Sequence, residues 1–142
     1  MSWQTYSRIF LDTAPVVYYV EGNAAYFQRI APIFQAFDAD KLTAITSPIT
    51  LAECLVMPLR QAQPQLTSDF AELIVNGVGV TCVPISSAIG ERAAGLRARY
   101  NLQLLDAIQV ATAMESNCDA FLTNDAFLKR VTDIRILVVS DL

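Results

Sequence analysis

The sequence predicts an α/β protein in which helices cover both faces of a mainly parallel sheet. Strand-like segments alternate with longer segments of helical period along the whole chain. The strand-like segments are near-continuous apolar runs, such as Ile136-Leu137-Val138-Val139, a pattern of strands buried on both faces. The length, 142 residues, suits one domain, and no repeat, low-complexity tract or long linker divides it. One continuous domain over 1–142 is therefore expected.

Arg8-Ile9-Phe10-Leu11 reads as a short buried strand ending at Asp12. A short helix is predicted from Pro15 toward Val20, stopped near Gly22-Asn23. From Ala24 to Phe37, Phe27, Ile30, Phe34 and Phe37 recur at helical spacing, with Pro32 set to kink or split the helix. Leu42 to Thr46 is the second strand. Ser47-Pro48 is an N-cap followed by proline at the first helical position, opening a helix toward Pro58. Another helix runs from Pro64 to about Val75 and closes at Asn76-Gly77. The β-branched run from Val78 to Val83 is the third strand. Ser86 or Ser87 then caps a helix with Ile89, Ala93, Leu96 and Tyr100 on one face. Leu104 to Glu115 is apolar almost all round, which predicts a central, buried helix. Ala120-Phe121-Leu122 is a brief strand, Asp125 to Val131 a short helix, and Ile136 to Val139 the last strand.

Composition removes several function classes. Histidine is absent, so Ser-His-Asp and Cys-His catalysis, imidazole bases and histidine metal sites are all excluded. Acid–base work must come from carboxylates, lysine, tyrosine or metal-activated water. Cys54, Cys82 and Cys118 are odd in number and widely spaced, which suggests neither a disulfide framework nor a zinc site; buried, inert thiols are expected. The apolar stretches fall well short of the ~20 residues that span a bilayer, and Met1 to Arg8 carries no apolar run of signal-peptide length, so a cytoplasmic protein is expected. Hydrophobic residues make up 54% of the chain and charged ones 17%, against about 25% charged in typical domains, so a complete core and a partner-covered apolar surface are both expected.

Ligands on such sheets bind beyond the carboxyl ends of the strands, which makes the residues after each strand the first to consider. Asp12 follows the first strand at once and Asp125 follows the fourth; each also suits capping of the helix that comes next. Glu53 lies in Leu51-Ala52-Glu53-Cys54-Leu55-Val56-Met57, with no basic residue until Arg60. It is costly to bury uncompensated, unless it exits to a solvated face. Asp106 stands near the start of the most apolar helix, where the helix dipole also favours it. Carboxylates clustered without histidine or paired cysteine are oxygen-ligand chemistry, suited to Mg²⁺ or Mn²⁺ rather than zinc. A divalent cation relieves their mutual repulsion and can stabilise charge on a phosphoryl group.

These residues together resemble the PIN-domain nucleases, in particular the VapC-type toxin ribonucleases of toxin–antitoxin modules. The matching pieces occur in the family's order: Phe10-Leu11-Asp12-Thr13, then Ser47-Pro48-Ile49-Thr50-Leu51-Ala52-Glu53, then Leu105-Asp106-Ala107-Ile108-Gln109-Val110-Ala111-Thr112-Ala113, then Cys118-Asp119-Ala120-Phe121-Leu122-Thr123-Asn124-Asp125. The likeness spans nearly the whole chain. It implies a PIN-like three-layer α/β/α sandwich and Mg²⁺- or Mn²⁺-dependent cleavage of phosphodiester bonds, usually in RNA. By position, Asp12, Glu53, Asp106 and Asp125 are implied to be the catalytic, metal-binding quartet. Thr13, Ser47, Thr123 and Asn124 match polar positions expected to orient ligands or contact substrate, whereas Asp119 is expected to make a turn contact. The family also implies a homodimer and a small antitoxin partner, whose contact could involve Val16, Val17, Tyr18 and Tyr19.

One departure is the net charge of −4, with a pI near 4.6, which is awkward for gripping RNA. Local steering would fall to Arg92, Arg97, Arg99, Lys129 and Arg130, which are equally suited to an ordinary solvated surface. A haloacid-dehalogenase-like phosphatase also begins with aspartate after its first strand, but its Asp-x-Asp pair is broken here by Ala14. A non-catalytic PIN-like binding module, or a solitary PIN nuclease outside any toxin–antitoxin system, are the remaining alternatives.

Overall fold

The computed structural model describes residues 2–142. Its centre is a five-stranded, wholly parallel sheet in the order β3-β2-β1-β4-β5, formed by β1 (Arg8–Leu11), β2 (Thr43–Thr46), β3 (Val80–Cys82), β4 (Ala120–Thr123) and β5 (Arg135–Val138). Strands of this length expose alternate residues to opposite faces. Ile9 and Leu11 of β1, with Ala44, Ala120, Leu122 and Leu137, join the core beneath helices α1 (Thr13–Glu21), α2 (Phe27–Asp38), α3 (Pro48–Arg60) and α4 (Pro64–Asn76). Phe10, Ile45 and Phe121 point the other way, into the core under α5 (Ser87–Tyr100) and α6 (Leu104–Glu115). The result is a three-layer α/β/α sandwich. β1 and β4 lie side by side at its middle, paired Phe10 to Phe121, with the two rings stacked 5.0 Å apart.

Most predicted boundaries hold within a residue or two, and the exceptions have local causes. Helix α2 begins at Phe27 rather than Ala24, because the Asn23 side chain accepts the amides of Ala25 and Tyr26 and turns the chain first. Pro32 neither splits nor ends it; Pro32 and Gln28, whose carbonyl loses its helical partner, are both exposed residues. Strand β3 begins at Val80 because Gly79 adopts φ +71°, and a Cβ there would meet the Phe37 carbonyl oxygen at 2.7 Å. Helix α1 ends at Gly22 in the left-handed region, as its sequence suggests. Ser86, not Ser87, caps α5 by accepting the Ile89 amide. Asp119 accepts the Ser7 and Arg8 amides and so fixes the entry to β1, a long-range contact rather than the turn contact expected of it.

Helix α6 departs further from its prediction. Its later turns are buried through Ala107, Val110, Ala111 and Ala113, but Leu104 and Leu105 in the first turn are half exposed. The thiols are likewise mixed: Cys54 is buried, whereas Cys82 and Cys118 are half-buried. Val16 belongs to the core, and Val17, Tyr18 and Tyr19 pack against it, with Tyr18 stacked on Tyr26 and Tyr19 on Phe34. This segment is therefore partly covered by its own chain, with Val16 buried and Val17, Tyr18 and Tyr19 half-buried. The more exposed apolar side chains include Val56, Met57 and Leu59 of α3, Val75 of α4, and Leu104, Leu105 and Phe127. Among the described residues, no helix is long and apolar enough to cross a membrane.

Candidate functional site

The carboxyl ends of the two central strands meet the first turns of α3 and α6, and the polar residues that composition made conspicuous gather there. Asp12 follows β1, and its amide donates to the Leu122 carbonyl of β4 at 3.0 Å. Although Asp12 occupies the N-cap position of α1, its side chain makes no capping bond. Its Oδ2 instead accepts a 2.8 Å hydrogen bond from Thr123 Oγ1. The same Thr123 oxygen accepts the Asp125 amide at 3.1 Å, so one buried hydroxyl links both strand-end acids. Asp125 does cap the 3-10 helix over Ala126–Arg130, accepting the Phe127 amide at 3.0 Å.

Glu53 is exposed on α3, taking the solvated exit that its sequence left open beside costly burial. It nonetheless reaches back to the site, accepting 2.6 Å from Thr13 Oγ1. Asp106 sits in the first turn of α6, partly buried. Its pKa is pushed up to about 6, first by desolvation and then by the negative charges of Asp12, Asp125 and Glu53. The Asp12 pKa is raised too, mainly by burial, against the opposing hydrogen bond from Thr123. These acids therefore feel one another.

The cations do not answer them. Among the described residues the ion pairs are Arg92–Glu115, Arg99–Asp133 and Lys129–Asp141, and none includes a member of the quartet. Of the remaining steering candidates, Arg97 donates to the Leu102 carbonyl, and Arg130 donates to the Tyr100 carbonyl and lies over the Phe127 ring. The three surface pairs are each worth little, about 0–1 kcal/mol, so a phosphate could replace the carboxylate in any of them.

Asn124 stands apart from the acids. Its amide donates to Tyr18 Oη at 3.0 Å and accepts the Ser140 amide at 3.1 Å, which ties α1 to the C-terminal segment. Ser47 is fully buried; its Oγ accepts the Ile49 amide as an N-cap and donates to Gln109 Oε1. Gln109 Nε2 in turn donates to Thr50 Oγ1 at 2.7 Å, and Thr46 and Thr50 both donate to the Leu11 carbonyl. Sequence reasoning missed Gln109, Thr46 and Thr50. Gln109 was findable: it is the polar residue inside an apolar helix, three positions after Asp106 and hence on the same face.

The donor set suits a hard divalent cation, being all oxygen and carrying uncompensated negative charge. Among the described residues no three acidic side chains stand close enough together to form a ready cage. That spacing is compatible with Mg²⁺ or Mn²⁺, since Mg²⁺ keeps several waters and typically takes only one or two carboxylates directly. The acids therefore fit such an ion chemically, with Asp12 held by Thr123 and Glu53 by Thr13.

A stability consequence follows from the Asp106 shift. A raised carboxyl binds its proton more tightly folded than unfolded, so the stability it contributes is present below the unfolded value near 3.8 and is lost as pH rises through about 6. In EDTA, Asp106→Asn removes that loss. Urea unfolding should show the variant gaining on the wild type between pH 4 and pH 7, by about 1–2 kcal/mol once partial solvent screening is allowed for. A constant gap across that range would mean Asp106 does not feel its neighbours.

Comparisons with known proteins agree with this architecture. The family model described as PIN domain matches residues 9–134. Among solved structures, the chain is similar to VapBC2 from Rickettsia felis bound to a promoter DNA fragment, with TM-score 0.71, 16% identity, and coverage of 92% of this chain and 98% of that one. It is also similar to a toxin–antitoxin complex from Klebsiella pneumoniae, with TM-score 0.67, 25% identity, and coverage of 92% and 97%. The sarcin-ricin loop cleaving toxin VapC20 of Mycobacterium tuberculosis aligns at TM-score 0.63, 16% identity, and coverage of 80% and 86%. Comparison with curated protein sequences gives no match.

Proposed function

The chain belongs to the PIN domain family, and on that premise we propose that it is a metal-dependent endoribonuclease and the toxin of a toxin–antitoxin pair. The observation that carries the proposal is the electrostatic coupling of Asp106 to Asp12, Asp125 and Glu53 at the carboxyl end of the sheet, with no basic side chain paired to any of them among the described residues. Asp12, Glu53, Asp106 and Asp125 would hold Mg²⁺ or Mn²⁺, which when bound supplies charge to offset that developing on the phosphoryl oxygens and makes water a better nucleophile. Thr123 and Thr13 fix the orientation of Asp12 and Glu53, and Ser47 braces the start of α3. An RNA phosphodiester is the substrate of this reading, within a single PIN domain over 1–142.

The proposed partner is a small antitoxin, and the proposed assembly a cytoplasmic homodimer. The similarity to structures of toxin–antitoxin complexes and the exposed Val56, Met57 and Leu59 of α3 support a partner-covered surface.

The test is cleavage of a mixed RNA pool, structured ribosomal RNA included, by the purified chain in Mn²⁺. Cleavage that EDTA abolishes and fresh Mn²⁺ restores is the expected result. A folded chain that leaves every RNA intact in Mn²⁺ would favour the alternative of a non-catalytic binding module.

A further inference from the structure

Among the described residues, five of the six buried polar side chains, Thr46, Ser47, Thr50, Gln109 and Thr123, lie around the ends of β1, β2 and β4. The sixth, Thr112, donates to the Ile108 carbonyl within its own helix. Such clustering is costly unless every group is paired, and here each one is. Gln109, 2% exposed, is the hub. Ser47 Oγ donates to its Oε1, its Nε2 donates to Thr50 Oγ1 at 2.7 Å, and Thr50 Oγ1 donates to the Leu11 carbonyl at 3.4 Å. The bonds therefore run in one consistent direction from the N-cap of α3, through α6, to the residue before Asp12.

That path crosses the elements bearing Glu53, Asp106 and Asp12. Glu53 lies on the helix whose N-cap is Ser47 and whose first turn contains Thr50, and Asp106 is one turn before Gln109 on α6. A helix–helix contact made only of apolar atoms could slide by fractions of an ångström at little cost. A buried amide with both ends engaged cannot, because a shift leaves a polar group unpaired.

We infer that Gln109 is a positioning residue, whose bonds to Ser47 and Thr50 set α3 against α6 and so hold Glu53 and Asp106 in register with Asp12 for cation binding. The inference rests on the metal site proposed above but concerns a residue that bears no charge and is not itself offered as a ligand. Replacing the amide should leave the chain folded, since Ser47 Oγ keeps the Ile49 amide and Thr50 Oγ1 keeps the Leu11 carbonyl. What should suffer is affinity for the cation, by about tenfold or more, as with other groups that orient ligands from behind.

The experiment titrates wild type, Gln109→Leu, Gln109→Asn, Asp106→Asn and Thr112→Val with Mn²⁺, following the free-ion signal by electron paramagnetic resonance. Thermal unfolding in EDTA is recorded for each. Thr112→Val perturbs the same helix one turn on, away from the acids, and controls for general loosening of α6. The expected result is Mn²⁺ binding by the wild type, weakened about tenfold or more in Gln109→Leu and unchanged in Thr112→Val. Gln109→Asn keeps the amide but shortens its reach, so it should be weakened too, and it decides the matter if the leucine variant does not fold. Wild-type binding matched by both Gln109 variants overturns the inference and leaves the metal site standing. Weakening that tracks melting temperature equally in the Gln109 and Thr112 variants reduces Gln109 to a structural role and also overturns it. No Mn²⁺ binding by wild-type protein removes the metal site, and the inference with it.

Discussion

On the proposed function, Asp106→Asn will slow RNA cleavage by about 100-fold or more while leaving the protein folded and, in EDTA at neutral pH, more stable. The two halves of this result have one origin. Asparagine matches aspartate in size and retains one side-chain oxygen, so packing in the first turn of α6 is preserved. What disappears is the charge, which desolvation and then Asp12, Asp125 and Glu53 all oppose. The dipole of α6 works the other way and favours a first-turn carboxylate by about 0.3–1 kcal/mol. Burial and three neighbouring acids push the Asp106 carboxyl up to about 6, a larger effect than the dipole supplies. A residue that destabilises its own fold and whose neutral form is better tolerated is one whose charge serves something other than folding. Single-turnover cleavage at saturating Mn²⁺, alongside urea unfolding in EDTA, reads both halves. Unchanged cleavage would remove Asp106 from the chemistry, and a marked loss of stability would make it a structural group.

The fold was largely legible because burial on both faces leaves a strong mark on short strands. Ile9-Phe10-Leu11 and Phe121-Leu122 read as strands from their apolar runs, and the structure pairs them at the middle of the sheet. The site was legible as a set of acids that follow strands or interrupt apolar helices. Its internal wiring was not. Nothing in Phe10-Leu11-Asp12-Thr13 tells whether Asp12 caps α1 or turns to Thr123, because that depends on β4, more than a hundred positions away. Asp125 shows the opposite outcome, a true cap, from an equally ambiguous context. Glu53 looked costly because its sequence neighbours are apolar, yet helical rotation places it on the exposed side while Cys54 beside it is buried. The exposure of Val16 to Tyr19 was no easier to read: Val16 joins the core, whereas Val17, Tyr18 and Tyr19 keep part of their surface open. These misses share a cause. One-dimensional neighbours report what a segment is made of, whereas exposure and hydrogen-bond partners are decided by elements brought in from elsewhere.

Phe121→Ala should produce the mirror image of the Asp106 result, a large stability loss with chemistry per folded molecule far less affected. Phe121 is fully buried at the centre of β4, stacked on Phe10 with ring centroids 5.0 Å apart, and faces the layer of α5 and α6. Truncation there leaves a cavity that strands paired on both sides cannot close, at a cost of about 3–5 kcal/mol. Against a typical total of about 5–15 kcal/mol, that removes a large share of the stability. The urea midpoint should fall accordingly, and Phe121→Leu, which fills more of the volume, should lose much less. Two positions along the same strand, and so on the same face as the lost ring, Thr123 holds Asp12 and the Asp125 amide. Its bonds depend on the β1–β4 backbone pairing, which the substitution leaves in place. Cleavage measured at low temperature, where the variant remains folded, should therefore fall by less than about tenfold. A stability change under about 1 kcal/mol would mean that the α5–α6 layer does not press on the sheet as described. A collapse of activity in fully folded variant would instead mean that core packing on that face sets the geometry of the acids, a coupling that the hydrogen bonds through Thr123 and Gln109 do not require.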